Sequence, residues 1–336
     1  MTALQQKDDT KQSPLDRLQG DMAADMKAVN AMILNHMQSE VPLIPHLASY
    51  LIAAGGKRIR PLLTLASTSL FDGDMTRAHR LAACVEFIHT ATLLHDDVVD
   101  NSDQRRGKES ANIVFGNEAS VLVGDFLFSR AFQLMVTDGS LDVLRILSTA
   151  SAVIAEGEVL QLSVQNNLDT TLEDYLKVIE GKTASLFAAA CEVGPVIANQ
   201  NTQSIEAMRE YGLYLGIAFQ IVDDVLDYNA NRAKLGKTVG DDFREGKMTA
   251  PVILALQQAT SEEQKFWQRT LGNKDQKEGD LETALELMTK YDTLNQGMDL
   301  ARKYGEKAIQ SLQKVPTSPL RNTLENLVSF TIERDH

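Results

Sequence analysis

Residues 76–100 read TRAHRLAACVEFIHTATLLHDDVVD, and the spacing of their apolar residues decides the fold. Leu81, Val85, Ile88 and Thr92 recur at helical spacing and mark one face of a helix, while His89, Leu93, Asp96 and Asp100 mark the neighbouring face. Both faces are expected to point inward, because the run FIHTATLL at 87–94, which leads into the aspartates, is too apolar for solvent.

The same periodicity extends through most of the chain. It predicts further helices over about 17–40, 61–71, 118–136, 141–166, 172–192 and 203–228, with shorter ones after Pro251. Pro319 suits the first turn of a last helix whose core face is Leu320, Leu324, Leu327 and Val328. The alternation and Asn-Gly or Asp-Gly turns of β-rich chains are scarce, so the fold class is all-α. There is no internal repeat and no long Gly/Ser- or Pro-rich linker. Residues 17–336 are therefore expected to form one domain behind a polar, disordered tail of residues 1–16.

Composition narrows the function. Lys plus Arg number 33 against 46 Asp plus Glu, a net charge of −13 that opposes broad binding to nucleic acid or anionic lipid. No unbroken apolar run approaches the ~20 residues of a bilayer span, so no transmembrane segment is expected. Cys84 and Cys191 lie in apolar surroundings without metal-ligand spacing, which suits a reducing, cytoplasmic setting.

Two acidic signals carry chemistry. In HDDVVD, residues 95–100, Asp96 and Asp100 stand four apart and share a helix face with Asp97 beside them. FQIVDDVLD, residues 219–227, again runs an apolar helix into three carboxylates, Asp223, Asp224 and Asp227. Stripping water from unpaired carboxylates costs several kcal/mol each, so six of them converging in a partly buried site require cations. An oxygen-only ligand set suits Mg²⁺, which commonly bridges carboxylates to substrate phosphates.

Phosphate ligands are then required, and two basic clusters supply them: GGKRIRP at 55–61 and RRGK at 105–108. Gly55 and Gly56 allow a tight turn, Pro61 can open the next helix, and Lys57 and Arg60 can reach a common anion near its N-terminus. The polar stretch 229–247, with three glycines among Lys237, Asp241, Asp242, Arg244 and Lys247, is expected to be a functional loop.

In this order the motifs resemble those of the trans-isoprenyl diphosphate synthases, or polyprenyl synthetases, over nearly the whole chain from about residue 20. The family's Gly-Gly-Lys-Arg-x-Arg-Pro, D-D-x-x-D with Arg-Arg-Gly, Lys-Thr, and Gln-x-x-D-D-x-x-D appear here at 55–61, 96–100, 105–107, 182–183 and 220–227. The resemblance implies a bundle of long helices around a deep cavity, paired as a homodimer, with the aspartate motifs facing each other. It implies repeated head-to-tail joining of isopentenyl diphosphate to an allylic diphosphate such as farnesyl diphosphate. About three Mg²⁺ ions are implied with substrate bound.

By the same resemblance Asp96, Asp100, Asp223 and Asp227 hold Mg²⁺, with Asp97 and Asp224 assisting. Lys57, Arg60, His89 and Arg106 bind the diphosphate of isopentenyl diphosphate; Arg105, Lys182 and Lys237 bind the allylic one. Thr183 and Gln220 lie near the allylic cation. His46 and His79 carry no functional reading, and His95 reads as structural.

A class I terpene cyclase also starts from Mg²⁺-assisted diphosphate ionisation, but it carries a different second metal motif and has no need of the Lys57 and Arg60 cluster. A noncatalytic subunit of a heteromeric synthase would have lost an aspartate motif, and neither is lost. Product length follows from Ala91 and Thr92, five and four residues before Asp96, where family members with short products often place an aromatic ring. Both are small, so a product of roughly eight to ten isoprene units for a quinone side chain is expected, with at most a transient membrane contact as it leaves. Phe128, Phe132 and Met135 are candidates for the cavity floor, although they read first, with Phe126, as core.

Overall fold

The computed structural model describes residues 12–53, 55–105, 107–229 and 239–334. In chain order the first helices are α1 (Pro14–Asp21), α2 (Ala23–His36), α3 (Leu43–Ala53), α4 (Ile59–Ser69), α5 (Met75–Val99), α6 (Ala111–Phe115), α7 (Asn117–Asp138), α8 (Leu141–Val164), α9 (Leu172–Ile179), α10 (Ser185–Ile197) and α11 (Thr202–Asp227). Shorter helices follow, and the chain closes with the helices Thr293–Leu312 and Pro319–Glu333. The only strands among the described residues are Gln104–Arg105 and Lys108–Glu109, an antiparallel ribbon that pairs Arg105 with Lys108. The fold is a helical bundle.

α5 is the central helix. Asp74 caps it by accepting from the backbone N–H groups of Thr76 and Arg77. From residue 81 to 88 every side chain is buried, because α2, α4, α7 and α10 pack around it. It therefore has no polar face there, where the sequence marked only two inward stripes. Beyond Ile88 the burial becomes partial, and the helix emerges at its aspartates.

α10 packs against both α5 and α11 and so holds the two aspartate-bearing helices around one cavity. The predicted helix 172–192 proves longer and interrupted: α9 passes through a π-helical turn, Glu180–Ala184, into α10. A Cβ at Gly157 would lie 2.5 Å from Lys182 N, and one at Gly216 would lie 2.7 Å from Ala184 Cα. These glycines let α8 and α11 press on the π turn, which carries Lys182 and Thr183.

Residues 14–16, expected to belong to the tail, open α1 instead. Ser13 and Asp16 form a capping box, Pro14 opens α1, and Leu15 is buried, so residues 14–16 belong to the fold. The predicted helix 17–40 breaks at Met22 into α1 and α2. α4 starts at Ile59 rather than Pro61, because Arg58 takes the left-handed conformation that ends the preceding turn. The last helix starts at Pro319 as predicted, with Leu324, Leu327 and Val328 in the core.

One helix, α7, is long and apolar enough to cross a bilayer by length and composition alone. Asp125 and Arg130 interrupt its apolar run. Here it lies along α5.

Candidate active site

Asp96 and Asp100, one turn apart at the end of α5, and Asp223, near the end of α11, line one open cavity of about 570 Å³. Lys57, Arg60, His89, Thr92, Arg105, Lys182, Thr183 and Gln220 line the same cavity. Sequence positions up to 166 residues apart (57 to 223) are thus brought to one wall. Arg106 and Lys237 lie outside the described residues, as do residues 230–238 of the predicted loop 229–247.

At one end, Arg60 Nη1 is 3.2 Å from His89 Nε2, and the Arg60 guanidinium sits 4.4 Å from the centroid of the Phe187 ring. Lys57 is exposed beside them. At the other end, Lys182 Nζ is 2.8 Å from Glu158 and 3.7 Å from Asp96. Thr183 Oγ1 donates to Gln220 Oε1 at 2.8 Å, and Gln220 Nε2 donates to Asp224 Oδ1 at 2.8 Å.

Asp97, Asp224 and Asp227 are not on this wall. Asp97 and Asp224 directly follow Asp96 and Asp223, and adjacent residues on a helix point about 100° apart, so each lies behind the aspartate before it; Asp227 stands one turn beyond Asp223 and is buried. Asp97 is buried and accepts from Arg105 Nε at 2.7 Å. Asp224 accepts from the Tyr175 hydroxyl at 2.6 Å. Asp227 accepts from the backbone N–H of Asp242 at 3.1 Å, the first turn of the helix Asp241–Glu245.

Of the two small residues before Asp96, Thr92 lines the cavity and Ala91 is wholly buried in the core. The expected floor is not found on α7: Met135 is core, Phe132 is 42% exposed, and Phe128 stacks on His95. The cavity lining includes no residue of α7.

The structure adds groups that the motifs did not contain. Glu158 shares the wall, and burial pushes its carboxyl up to about 7 against the pull of Lys182. Lys247 Nζ lies 3.6 Å from Asp100 and 3.7 Å from Asp242, and it also pairs with Glu245. Burial works against its charge, but the surrounding carboxylates outweigh it and raise its pKa. Arg334 reaches Asp223 at 2.7 Å and stacks 4.0 Å from the Phe219 ring centroid. Lys247 stood in the polar loop that the sequence flagged; Glu158 and Arg334 carried no signal, since their partners are remote in sequence.

These contacts show what the carboxylates need. Burial raises Asp96 above the usual carboxylate range despite Lys182, and raises Asp224 to about 7. Asp96, Asp100 and Asp223 each have a basic side chain within 4 Å, in the place of a counterion. Carboxylate oxygens suit a hard divalent cation such as Mg²⁺, although among the described residues no three such side chains stand close enough to hold one by themselves.

Comparison with known proteins identifies the family. A family model described as polyprenyl synthetase matches residues 41–288. The chain is 46% identical to octaprenyl diphosphate synthase of Escherichia coli strain K12 over 321 residues, 96% of this chain and 99% of that protein. A crystal structure of decaprenyl diphosphate synthase from Rhodobacter capsulatus matches with a TM-score of 0.92 at 52% identity, covering 96% of this chain and 100% of that one. Polyprenyl synthase from Caulobacter crescentus CB15, complexed with calcium and isoprenyl diphosphate, matches with a TM-score of 0.92 at 50% identity, covering 97% and 99%. Two helix ends bearing aspartates on one cavity, the order of the basic motifs between them and identity along nearly the full length agree: the chain belongs to the polyprenyl synthetase family.

Proposed function

We propose that the cavity binds two diphosphates side by side, one among Lys57, Arg60 and His89 and one against Asp96, Asp100 and Asp223. The observation that supports this most is that both sets of residues line the same open cavity, with Phe187 and Phe219 among them. The protein is a long-chain trans-polyprenyl diphosphate synthase. This prenyltransferase condenses isopentenyl diphosphate repeatedly with an allylic diphosphate such as farnesyl diphosphate. Its all-trans product, roughly C40 to C50, serves as a quinone side chain.

Lys57 and Arg60, with His89 and Arg106, hold the diphosphate of isopentenyl diphosphate; the arginine supplies a planar fork and the lysine a point charge. Lys182, Arg105 and Lys237 take the allylic diphosphate. Asp96, Asp100, Asp223 and, from one turn further along α11, Asp227 would hold Mg²⁺, about three ions with substrate bound, with Asp97 and Asp224 in support. When bound, Mg²⁺ neutralises the charge that gathers on the departing diphosphate. Thr183, Gln220 and Asp224 form a hydrogen-bonded chain, so the dipoles of Thr183 and Gln220 are oriented before the allylic cation forms. Phe187 and Phe219, 5.5 Å between centroids, present π faces in the same cavity.

Lys57→Ala and Arg60→Ala are each expected to raise the Michaelis constant for isopentenyl diphosphate by roughly tenfold or more, with a smaller change for the allylic substrate. Steady-state kinetics with each substrate varied in turn checks this. A larger loss for the allylic substrate would reverse the two assignments.

The protein acts as a cytoplasmic homodimer that touches the membrane only transiently as product leaves. α7 and α8 support this by exposing Leu122, Phe132, Val136, Leu141, Val159 and Leu162. Light scattering after size exclusion should give twice the mass of the 37.0 kDa chain. A monomer at micromolar concentration would contradict the pairing.

A further inference from the structure

The turn that presents Lys57 and Arg60 runs through the left-handed region: φ is 71° at Gly55, 155° at Gly56 and 49° at Arg58. Glycine adopts such angles freely, but an arginine there is strained and persists only where its surroundings hold it. The Gln19 side chain donates to the Lys57 carbonyl at 3.4 Å. The Arg58 carbonyl accepts from Leu62 N at 3.1 Å, within the first turn of α4. The Arg58 side chain reaches in the opposite direction, with Nη1 2.7 Å from Glu86 Oε1.

Glu86 stands in the belt of α5 where every residue from 81 to 88 is buried, and it is itself 7% exposed. Arg58 and Glu86 line the 570 Å³ cavity together with Lys57 and Arg60. A buried carboxylate on the wall of an anion-binding cavity works against phosphate unless its charge is committed to a cation. Arg58 is such a cation, and its backbone is the strained residue of the phosphate-binding turn.

We propose that Glu86 is a positioning residue for isopentenyl diphosphate: through Arg58 it holds the turn 55–58, so that Lys57 and Arg60 are set for the diphosphate before it arrives. This rests on the two-diphosphate reading of the cavity. Binding then requires no reordering of the turn, and the benefit falls on affinity for one substrate only.

Glu86→Gln keeps the size and removes the charge. It is expected to raise the Michaelis constant for isopentenyl diphosphate about tenfold, with kcat within about twofold and the allylic Michaelis constant unchanged. Arg58→Met should match it, and the double variant should be no worse than either single one, because both remove the same link. Lys57→Ala is run in the same assay. If Lys57→Ala has its effect and Glu86→Gln has none, or lowers the constant, the inference is overturned. Additive losses in the double variant overturn it too, as does an equal loss in both substrates and kcat, which would mark a merely structural role. If Lys57→Ala has no effect, the two-diphosphate reading falls and takes this inference with it. Should Glu86→Gln fail to fold, Glu86→Asp, which keeps the charge but shortens the reach to Arg58, takes its place, and an unchanged Michaelis constant for isopentenyl diphosphate in that variant overturns the inference.

Discussion

Asp96→Ala and Asp223→Ala are each expected to lower kcat by roughly 10³-fold or more, about 4 kcal/mol of transition-state stabilisation. EDTA should abolish turnover of the unaltered enzyme. Both residues line the cavity, where they pair with Lys182 and Arg334. Burial and the nearby Asp100 both penalise the Asp96 charge, so its removal relieves a cost in the metal-free fold. The thermal midpoint of Asp96→Ala without Mg²⁺ should therefore match or exceed that of the parent, and the stabilisation that Mg²⁺ with diphosphate confers should be lost. Asp97→Ala is expected to behave differently: it removes the buried partner of Arg105, so its midpoint should fall without any metal. Near-normal turnover in Asp96→Ala or Asp223→Ala would sink the metal assignment.

Thr92→Phe is expected to shorten the product sharply while leaving the first condensation intact. Thr92 lies four residues before Asp96, roughly 6 Å along the helix at 1.5 Å per residue, and it faces the cavity. An aromatic ring there obstructs a growing apolar tail but does not reach the diphosphates. Chain-length analysis of dephosphorylated products from labelled isopentenyl diphosphate reads the result directly. Full-length product from Thr92→Phe would show that the tail takes another route. Ala91→Phe, which the motif alone suggests equally, is a poorer test. Ala91 is wholly buried, and a ring inserted there overpacks the core at a cost of about 1–3 kcal/mol.

The contrast between Ala91 and Thr92 shows how far sequence reading carries. Their spacing from Asp96 is equally suggestive, and neighbouring residues on a helix differ only in phase. Phase relative to the cavity could not be read from α5, because its belt 81–88 is buried on all sides and offers no polar face as reference. For Asp96 against Asp97 and Asp223 against Asp224 the resemblance had already favoured the first of each pair. In each pair the second residue turned out to be held by a group from elsewhere, Arg105 or Tyr175.

By itself the sequence determined the helical class, most helix positions, the two aspartate clusters and the basic clusters that complement them. These are local properties, expressed in periodicity and in the spacing of charged residues along one helix. Tertiary structure decided which carboxylates share the cavity and that Lys182 and Thr183 sit on a π turn pressed by α8 and α11. It also brought Glu158, Glu86, Lys247 and Arg334 to the same wall. A buried charge is tolerated only beside its partner, and these partners lie on other helices, so only the packing of those helices could bring them together.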